Sequence, residues 1–482
     1  MKSVTQKTCI LLLLVSIFGI HCYDPTEAIP SVSINHVDMQ VQIAGNYDII
    51  NGEHYEVVLD YNGSDSLETH RQIGERYARE ILDVAPDYEA RVSRYIRYIL
   101  MLSNPFGITY RDLISAIEQY RLEFDVGHPD IAAELQGMDS VFNPYGGEKD
   151  RVWIITGLIP DNQLTLNEVY LLNMIAGIPG LAECSSLAVW GDYSATGDTI
   201  VGRNLDFFIG NQKRNRITKI HAITHFKNQG GEKFDFVSVS WLGVITVLTG
   251  YNERGLFIAS HMSESSNIND SREAEILELN QRRILETTDT IDGAFDLIDN
   301  YQYKSGFATI LADSLTAKIA EVDISASTHE STFFLRDSST LLNLEADTHG
   351  SIGYWYNTFH DQDAIVTVNS FLLPEQSLNH DNKKTNFNRL LNFTDLLHGI
   401  AGSGQRVDMN EMSEIISYAT DNSFDTGNIY RVGPTQSYSS ITVHSVVYRP
   451  STRSLKVHFA PYDGVIYRPD IPGYKDYTVD FD

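Results

Sequence analysis

Cys184 heads a strand-like run that continues through Ser185, Ser186, Leu187, Ala188 and Val189 to Trp190. A second such run, Thr199 to Asp206, carries Arg203 and Asp206. Gly191 to Asp198 supplies turn residues between them, so the two runs read as a hairpin with a long loop. Residues paired across a hairpin lie within about 5 Å of each other. The spacing therefore sets a thiol near a guanidinium and a carboxylate. A cationic neighbour lowers a thiol's pKa from its ordinary ~8.5 and makes it a nucleophile. A carboxylate beside it can orient an amine. The same three residues also suit a plainer reading, a surface Arg–Asp pair next to a small buried cysteine.

Other chemistries lack their signatures. The chain has no G-x-x-x-x-G-K-S/T loop, no G-x-G-x-x-G, no G-x-S-x-G elbow and no H-E-x-x-H. His221 and His225 are four residues apart, but no acid is paired with them in sequence, so no metal site and no cofactor is expected.

The elements that must position Cys184 fall into blocks. Residues 66–174 read mostly as helix, over Glu68–Leu82 with Ser66 as cap, Tyr88–Leu102, Thr109–Phe124, Pro129–Met138 and Leu164–Met174. Thr165 or Asn167 is the expected cap of the last. After the Cys184 hairpin, Phe236–Ser240, Gly243–Thr249 and Leu256–Ser260 read as β-rich, with Asn252–Gly255 as a turn. Glu273–Asn300 reads as helix with a break at Thr287–Asp289. Further strands are expected at Phe307–Ala312, Lys318–Ile324 and Ile365–Asn369, helices at Phe387–Leu397 and Met409–Ala419, and a late hairpin at Ser440–Tyr448 and Ser454–Phe459. Helices and hairpins in blocks favour α+β layers over an alternating doubly wound sheet. Repeats, low-complexity tracts and long linkers are lacking.

Composition narrows the function classes. The 482 residues are 42% hydrophobic and 21% charged, in the range of a folded globular chain. Asp and Glu number 64 against 36 Lys and Arg, a net charge of -28. Such a surface repels phosphate backbones, so no nucleic-acid partner is expected. Three cysteines cannot build a disulfide scaffold.

Two of these, Cys9 and Cys22, sit at the N-terminus. Lys2 and Lys7 precede an apolar run from Cys9 to Ile20, the pattern of a secretory leader over residues 1–22. The run is short for a spanning helix. Cleavage is expected near His21, Cys22 or Tyr23. Cys22 also admits lipidation as in a bacterial lipoprotein, although Gly19-Ile20-His21 fits that signal poorly. Under either reading the protein is exported, with no integral membrane segment after the leader. Asn62, Asn269 and Asn392 each open a glycosylation sequon.

Cys184-x-Ser186 followed by Gly202-Arg203-Asn204-x-Asp206-Phe207 resembles the cysteine N-terminal-nucleophile (Ntn) hydrolases. These include choloylglycine (bile salt) hydrolases, the acid ceramidase and N-acylethanolamine amidase group, and the isopenicillin N acyltransferase group. The resemblance is best to the last. Leu164–Asn173 and Glu134–Met138 are similar to parts of that group's pro-region. Gly250-Tyr251-Asn252-Glu253-Arg254-Gly255-Leu256 resembles its G-x-N-E-x-G-L, and Thr367-Val368-Asn369 its T-N segment. The similarity covers roughly residues 68–397.

What the resemblance implies is a four-layer α/β/β/α sandwich with a helical N-terminal pro-region. Residues 23–183 would be the pro-region and residues 184–482 the catalytic chain. The precursor would cut itself before Cys184, and the two chains would stay associated. The Cys184 thiol would attack an amide carbonyl, with its own freed α-amine (ordinary pKa ~7.7–8.0) as general base. Asp206 would hold the amine and Arg203 would steady the thiol. Asn252 and Asn369 would stabilise the oxyanion, and Arg389 would complete the site. The substrate would be a small acyl amide, such as an N-acyl amine or N-acyl amino acid, with acyl transfer as a variant. Three departures stand out. Glu183 replaces the usual glycine before the nucleophile, Ser185 replaces a threonine, and Asn386 stands where the family often has the first of two arginines, leaving Arg389 as the second. Two alternatives accompany this reading, a phospholipase B-like acyl hydrolase and a non-catalytic exported binding protein on the same scaffold.

Overall fold

The computed structural model describes residues 41–44 and most of 54–481. The longer stretches outside the description are 103–116, 145–162, 175–181, 341–362, 374–383, 421–426, 432–440 and 461–472. The leader with Cys9 and Cys22, most of the expected 109–124 helix and the Glu183 side chain also lie outside the described residues.

Two sheets form the centre. The first holds β1 (Val41–Ala44), β2 (Tyr55–Asp60), β5 (His221–Lys227), β6 (Phe236–Trp241), β7 (Thr249–Asn252), β8 (Phe257–Met262), β9 (Phe307–Ala312), β10 (Ala317–Ile324) and β11 (Ser331–Arg336), in that spatial order. The second runs β12 (Ala364–Val368), β3 (Ala182–Val189), β4 (Ile200–Phe207), β13 (Ile441–Arg449), β14 (Ser454–Phe459), β15 (Lys475–Tyr477). Ala188, Val201, Ile223, Val239, Tyr251, Ile310 and Tyr448 pack between the sheets.

Helices cover both outer faces. Against the first sheet lie α1 (Leu67–Val84), α2 (Tyr88–Leu102), α3 (Pro129–Phe142), α4 (Leu166–Met174), α5 (Leu277–Thr287) and α6 (Ile291–Asp299). Against the second lie α7 (Lys384–Gly402) and α8 (Met409–Ile416), whose Leu390, Phe393, Met412 and Ile416 meet Leu187, Val189 and Val447. The layer order is α/β/β/α, as expected from the sequence. Its cause is patterning. Central strands of both sheets, such as β4, β6 and β8, are buried on both faces, so each sheet needs a partner sheet on one side and helices on the other.

Local signals set the helix ends. Ser66 Oγ accepts from Thr69 N at 3.1 Å, and α1 stops just before Pro86. Thr165 Oγ1 accepts from Glu168 N at 3.3 Å while Glu168 accepts from Thr165 N at 3.0 Å, a reciprocal box that starts α4. Asp408 and Glu411 do the same for α8. The break expected near Thr287–Asp289 separates α5 from α6.

The N-terminal part departs from its helical expectation. It contributes β1 and β2 to the first sheet, and β2 pairs in parallel with β5. Tyr55, Val57 and Leu59 alternate with less buried residues, the pattern of a half-buried strand, but six residues ahead of a long helical block are easily overlooked. Gly243–Thr249 also differs, for only Thr249 enters a strand. Leu242 to Thr246 form a turn gripped by the N-terminal helices. Gly243 has φ +78°, a conformation glycine adopts freely. Its N–H donates to Tyr77 at 3.0 Å and its carbonyl accepts from Asn173 at 3.1 Å. Tyr88 donates to Leu242 O at 2.9 Å, and Asn173 Oδ1 accepts from Ile245 N at 2.8 Å.

A buried charge cluster ties the same parts together. Arg282 of α5 donates from both terminal nitrogens to Glu134 of α3, each at 2.8 Å. His70 and Tyr61 reach the same carboxylate at 2.6 and 2.9 Å. The guanidinium holds Glu134 down at about 2 despite full burial. Beside it the Lys233 ammonium sits against Asp65 at 2.8 Å, Asp130 at 2.9 Å and Glu286 at 3.5 Å.

Glu278, one turn before Arg282, is different. It is buried, neither oxygen has a hydrogen-bond partner among the described residues, and burial pushes its pKa up to about 8. In the unfolded chain it ionises near 4.5, so between these values the unfolded state binds fewer protons and stability falls as pH rises. Glu278→Gln removes that loss. Its stability is expected to match wild type near pH 4 and to exceed it increasingly toward pH 8, by up to about 1.4 kcal/mol per pH unit, with the melting temperature moving in the same direction. Thermal melts of both proteins across this range check it.

Candidate active site

Cys184 sits two residues into β3, and β4 pairs with it so that Cys184 faces Leu205, Ser186 faces Arg203 and Glu183 faces Asp206. Side chains alternate faces along a strand. Cys184, Ser186, Arg203 and Leu205 therefore point toward the first sheet, whereas Asn204 and Asp206 point toward α7 and α8. The expected hairpin puts its three polar residues on two faces of one sheet.

On the inner face, Arg203 Nη2 lies 3.5 Å from Cys184 Sγ and donates to Ser260 O at 3.1 Å. Arg203 Nη1 lies 3.3 Å from His444 Nε2, which Thr249 Oγ1 also approaches at 3.2 Å. The backbone N–H of Asp206 supports the thiol as well. Burial pushes the thiol pKa up, and Arg203 and then the Asp206 N–H and Arg389 counter it.

On the outer face, Asp206 is fully buried and accepts from Thr442 Oγ1 at 2.7 Å and Arg389 Nη1 at 3.3 Å. Arg431 Nε stands 3.6 Å away. Arg389, one turn into α7, also donates to Cys184 O at 3.1 Å and to Asn386 Oδ1 at 2.6 Å. A single guanidinium thus bridges the carboxylate and the nucleophile's own backbone. Asn386 is spent on the segment after β12, donating to Ser370 Oγ at 2.9 Å and Asn369 O at 3.2 Å.

Asn369 follows β12, whose Val368 pairs with Ser185. Its Oδ1 accepts from Cys184 N and from Arg389 Nη2, and its Nδ2 donates to Met262 O at 2.7 Å. Both neighbours of Oδ1 can only donate and the neighbour of Nδ2 can only accept, so the amide has one orientation. Asn369 therefore presents an acceptor to the nitrogen of Cys184. This is a different arrangement from the oxyanion donor expected from sequence.

Five of the six expected residues, Cys184, Arg203, Asp206, Asn369 and Arg389, come together. Asn252 does not join them. Its Nδ2 donates to Leu285 O at 3.1 Å and Thr288 O at 2.8 Å, and its Oδ1 accepts from Arg254 N and Leu256 N, both at 3.1 Å. All its capacity goes to closing the turn after β7 and capping the end of α5, which is the turn role the residue type also suggested.

Sequence reasoning passed over Thr442, His444 and Arg431, which lie more than 200 positions from the hairpin, and His261, whose Nε2 lies 2.8 Å from Ser186 Oγ. Alternation along the 441–449 strand would set Thr442 and His444 on one face, but the register shifts between them, so Thr442 meets Asp206 and His444 meets Arg203 on opposite faces.

Asp206→Asn is expected to lose about 3–5 kcal/mol of stability, because it removes the buried carboxylate that Arg389 contacts. Thr442→Val is expected to lose about 1–3 kcal/mol by stripping one hydrogen bond from the same carboxylate. Urea unfolding of the two variants measures both.

No family model matches the chain, and no curated protein does. Among solved structures it is similar to the Caenorhabditis elegans ortholog of N-acylethanolamine-hydrolyzing acid amidase, at 15% identity and TM-score 0.35, covering 55% of this chain and 93% of that one. It is similar to a mutant of conjugated bile acid hydrolase from Clostridium perfringens at 12% identity and TM-score 0.33, covering 62% and 97%. It is similar also to penicillin V acylase from Agrobacterium tumefaciens at 12% identity and TM-score 0.31, covering 57% and 83%.

Proposed function

We propose that the chain is an exported, self-processing amidohydrolase in which Cys184 is the nucleophile. The observation that carries the reading is the pair of contacts on one residue. The Cys184 thiol has a guanidinium at 3.5 Å, and the Cys184 nitrogen meets an oriented acceptor, Asn369 Oδ1. A thiol that is only core packing does not need the guanidinium, and the acceptor that any buried backbone N–H requires is here a side-chain amide with a fixed orientation.

In the first step Sγ adds to the Glu183 carbonyl carbon, its proton passes to the Cys184 nitrogen, and the Glu183–Cys184 C–N bond breaks. This leaves a thioester on Sγ and a free amine on Cys184. Water hydrolyses the thioester, releasing the Glu183 carboxylate. That amine is what a general base here requires, since a peptide nitrogen has no basic lone pair. Asn369 Oδ1 then holds the amine, Arg389 keeps the Cys184 carbonyl in place, and Asp206 fixes Arg389.

In turnover the amine takes the Sγ proton, the thiolate attacks an amide carbonyl, and the departing amine leaves with that proton. Water or a competing amine then resolves the acyl thioester, giving hydrolysis or acyl transfer. The substrate class is a linear acyl amide other than a peptide, such as an N-acyl amine or N-acyl amino acid. After cleavage the small chain stays docked, because β2 is paired inside the first sheet and Glu134 is ion-paired to Arg282.

Wild-type protein is expected to run as two fragments in denaturing gels, the larger beginning at Cys184. Cys184→Ala is expected to run as one and to lose turnover of N-acyl amides by at least about 10³-fold. Active wild-type protein that stays a single intact chain would refute self-processing. Undiminished amide hydrolysis by Cys184→Ala would refute the nucleophile.

A further inference from the structure

Arg203 is fully buried, yet among the described residues no carboxylate is in ion-pair contact with it. Asp206 gives its oxygens to Thr442, Arg389 and Arg431 on the opposite face of the sheet. The acceptors of Arg203 are all neutral, namely His444 Nε2, Ser260 O and the thiol itself. Burying a guanidinium without a counter-ion is costly. The cost is recovered when a negative charge arises beside it, and the atom so placed is Cys184 Sγ.

His444 decides whether that charge stays available. Arg203 Nη1 and Thr249 Oγ1 both approach Nε2; a guanidinium only donates, so to accept from it Nε2 carries the lone pair, the hydroxyl turns its proton to the same atom, and the neutral ring keeps its proton on Nδ1. His444 is fully buried on β13, and its Nδ1 has no hydrogen-bond partner among the described residues. The imidazole accepts from Arg203 without neutralising it. A carboxylate at this place would bind Arg203 more strongly and quench it.

We propose that His444 is a positioning residue for the nucleophile. Its neutral lone pair holds the Arg203 guanidinium against Cys184 Sγ without ion-pairing it. The inference rests on Cys184 acting as the nucleophile. The groups around the thiol are Arg203 and Asp206 on β4, His444 on β13, Arg389 on α7 and His261 on β8. His261 is held neutral by burial and then by the Arg203 charge, so among the described residues Arg203 and Arg389 are the cations that meet a thiolate and Asp206 is the anion beside it.

The test reads the thiol directly. Full-length protein is treated with iodoacetamide from about pH 5 to about pH 10, and labelling of the Cys184 peptide is followed by mass spectrometry. His444→Gln keeps a neutral acceptor and is expected to stay within about twofold of wild type at every pH. His444→Glu keeps an acceptor but supplies a counter-charge, and His444→Leu supplies no acceptor. Both are expected to label about tenfold more slowly near pH 7, with the profile moved to higher pH by about one unit. Melting curves identify any variant that fails to fold, and the Gln and Glu variants, similar in size and both polar, then carry the comparison between them.

Identical profiles for the Gln and Glu variants overturn the proposal. So does a wild-type thiol that labels at no pH, or one whose profile is unchanged in Arg203→Met. The labelling does not depend on any amide being hydrolysed. A shifted profile without amide turnover refutes the proposed function and keeps the positioning role, and turnover with unshifted profiles does the reverse.

Discussion

The site depends on the antiparallel pairing of β3 with β4. Its register puts Cys184 opposite Leu205 and Ser186 opposite Arg203. Because alternate residues point to opposite faces, Arg203 shares a face with the thiol while Asp206, three residues on, faces away. A slip of one residue would exchange these roles and set the carboxylate against the thiol. The register is held from both sides by β12 and β13, which pair with the outer edges of the hairpin. Buried apolar residues on each face add to this, for a slip would carry Leu187 and Val189 out of the α7–α8 layer.

Each face then does separate work. The inner face carries a cation with neutral partners beside the thiol, which favours charge forming on sulfur. The outer face carries a closed ion pair, Arg389 with Asp206, that reaches the Cys184 backbone rather than its side chain. One residue is thus controlled through its side chain by one sheet face and through its backbone by the other. The N-terminal helices add a further constraint. Tyr77, Tyr88 and Asn173 clasp the Leu242–Thr246 turn, and Glu134 meets Arg282, so the segment before Cys184 is built into the layer beyond the first sheet and is not a loose appendage.

Much of this was legible in the chain. The Cys184 hairpin, the capped helices at Ser66 and Thr165, the α5–α6 break and the late hairpin follow from turn residues, caps and apolar periodicity, all local. The strands β1, β2, β5, β11 and β15 do not stand out in the sequence. β1 and β15 are only four and three residues long, and β5 is buried on both faces, so it shows no alternation to read. Asn252 shows the limit for side chains. Its residue type suits an oxyanion donor and a turn equally, and only its four partners decide for the turn. Asn369 shows the same limit more finely, since which end of its amide faces Cys184 depends on Met262 and Arg389 together.

The amino-acid sequence by itself determined that one internal cysteine stands at the head of a strand with an arginine and an aspartate on the next, within α+β layers. Local propensity and alternation suffice for that. Only the tertiary structure decided which groups complete the constellation. Thr442 and His444 arrive from β13, and Arg389 and Asn369 come from beyond residue 360, brought in by sheet order that no local pattern encodes. Tertiary packing also decided the charge balance, because whether a buried arginine meets a carboxylate, a neutral imidazole or a thiol depends on neighbours hundreds of residues away in the chain.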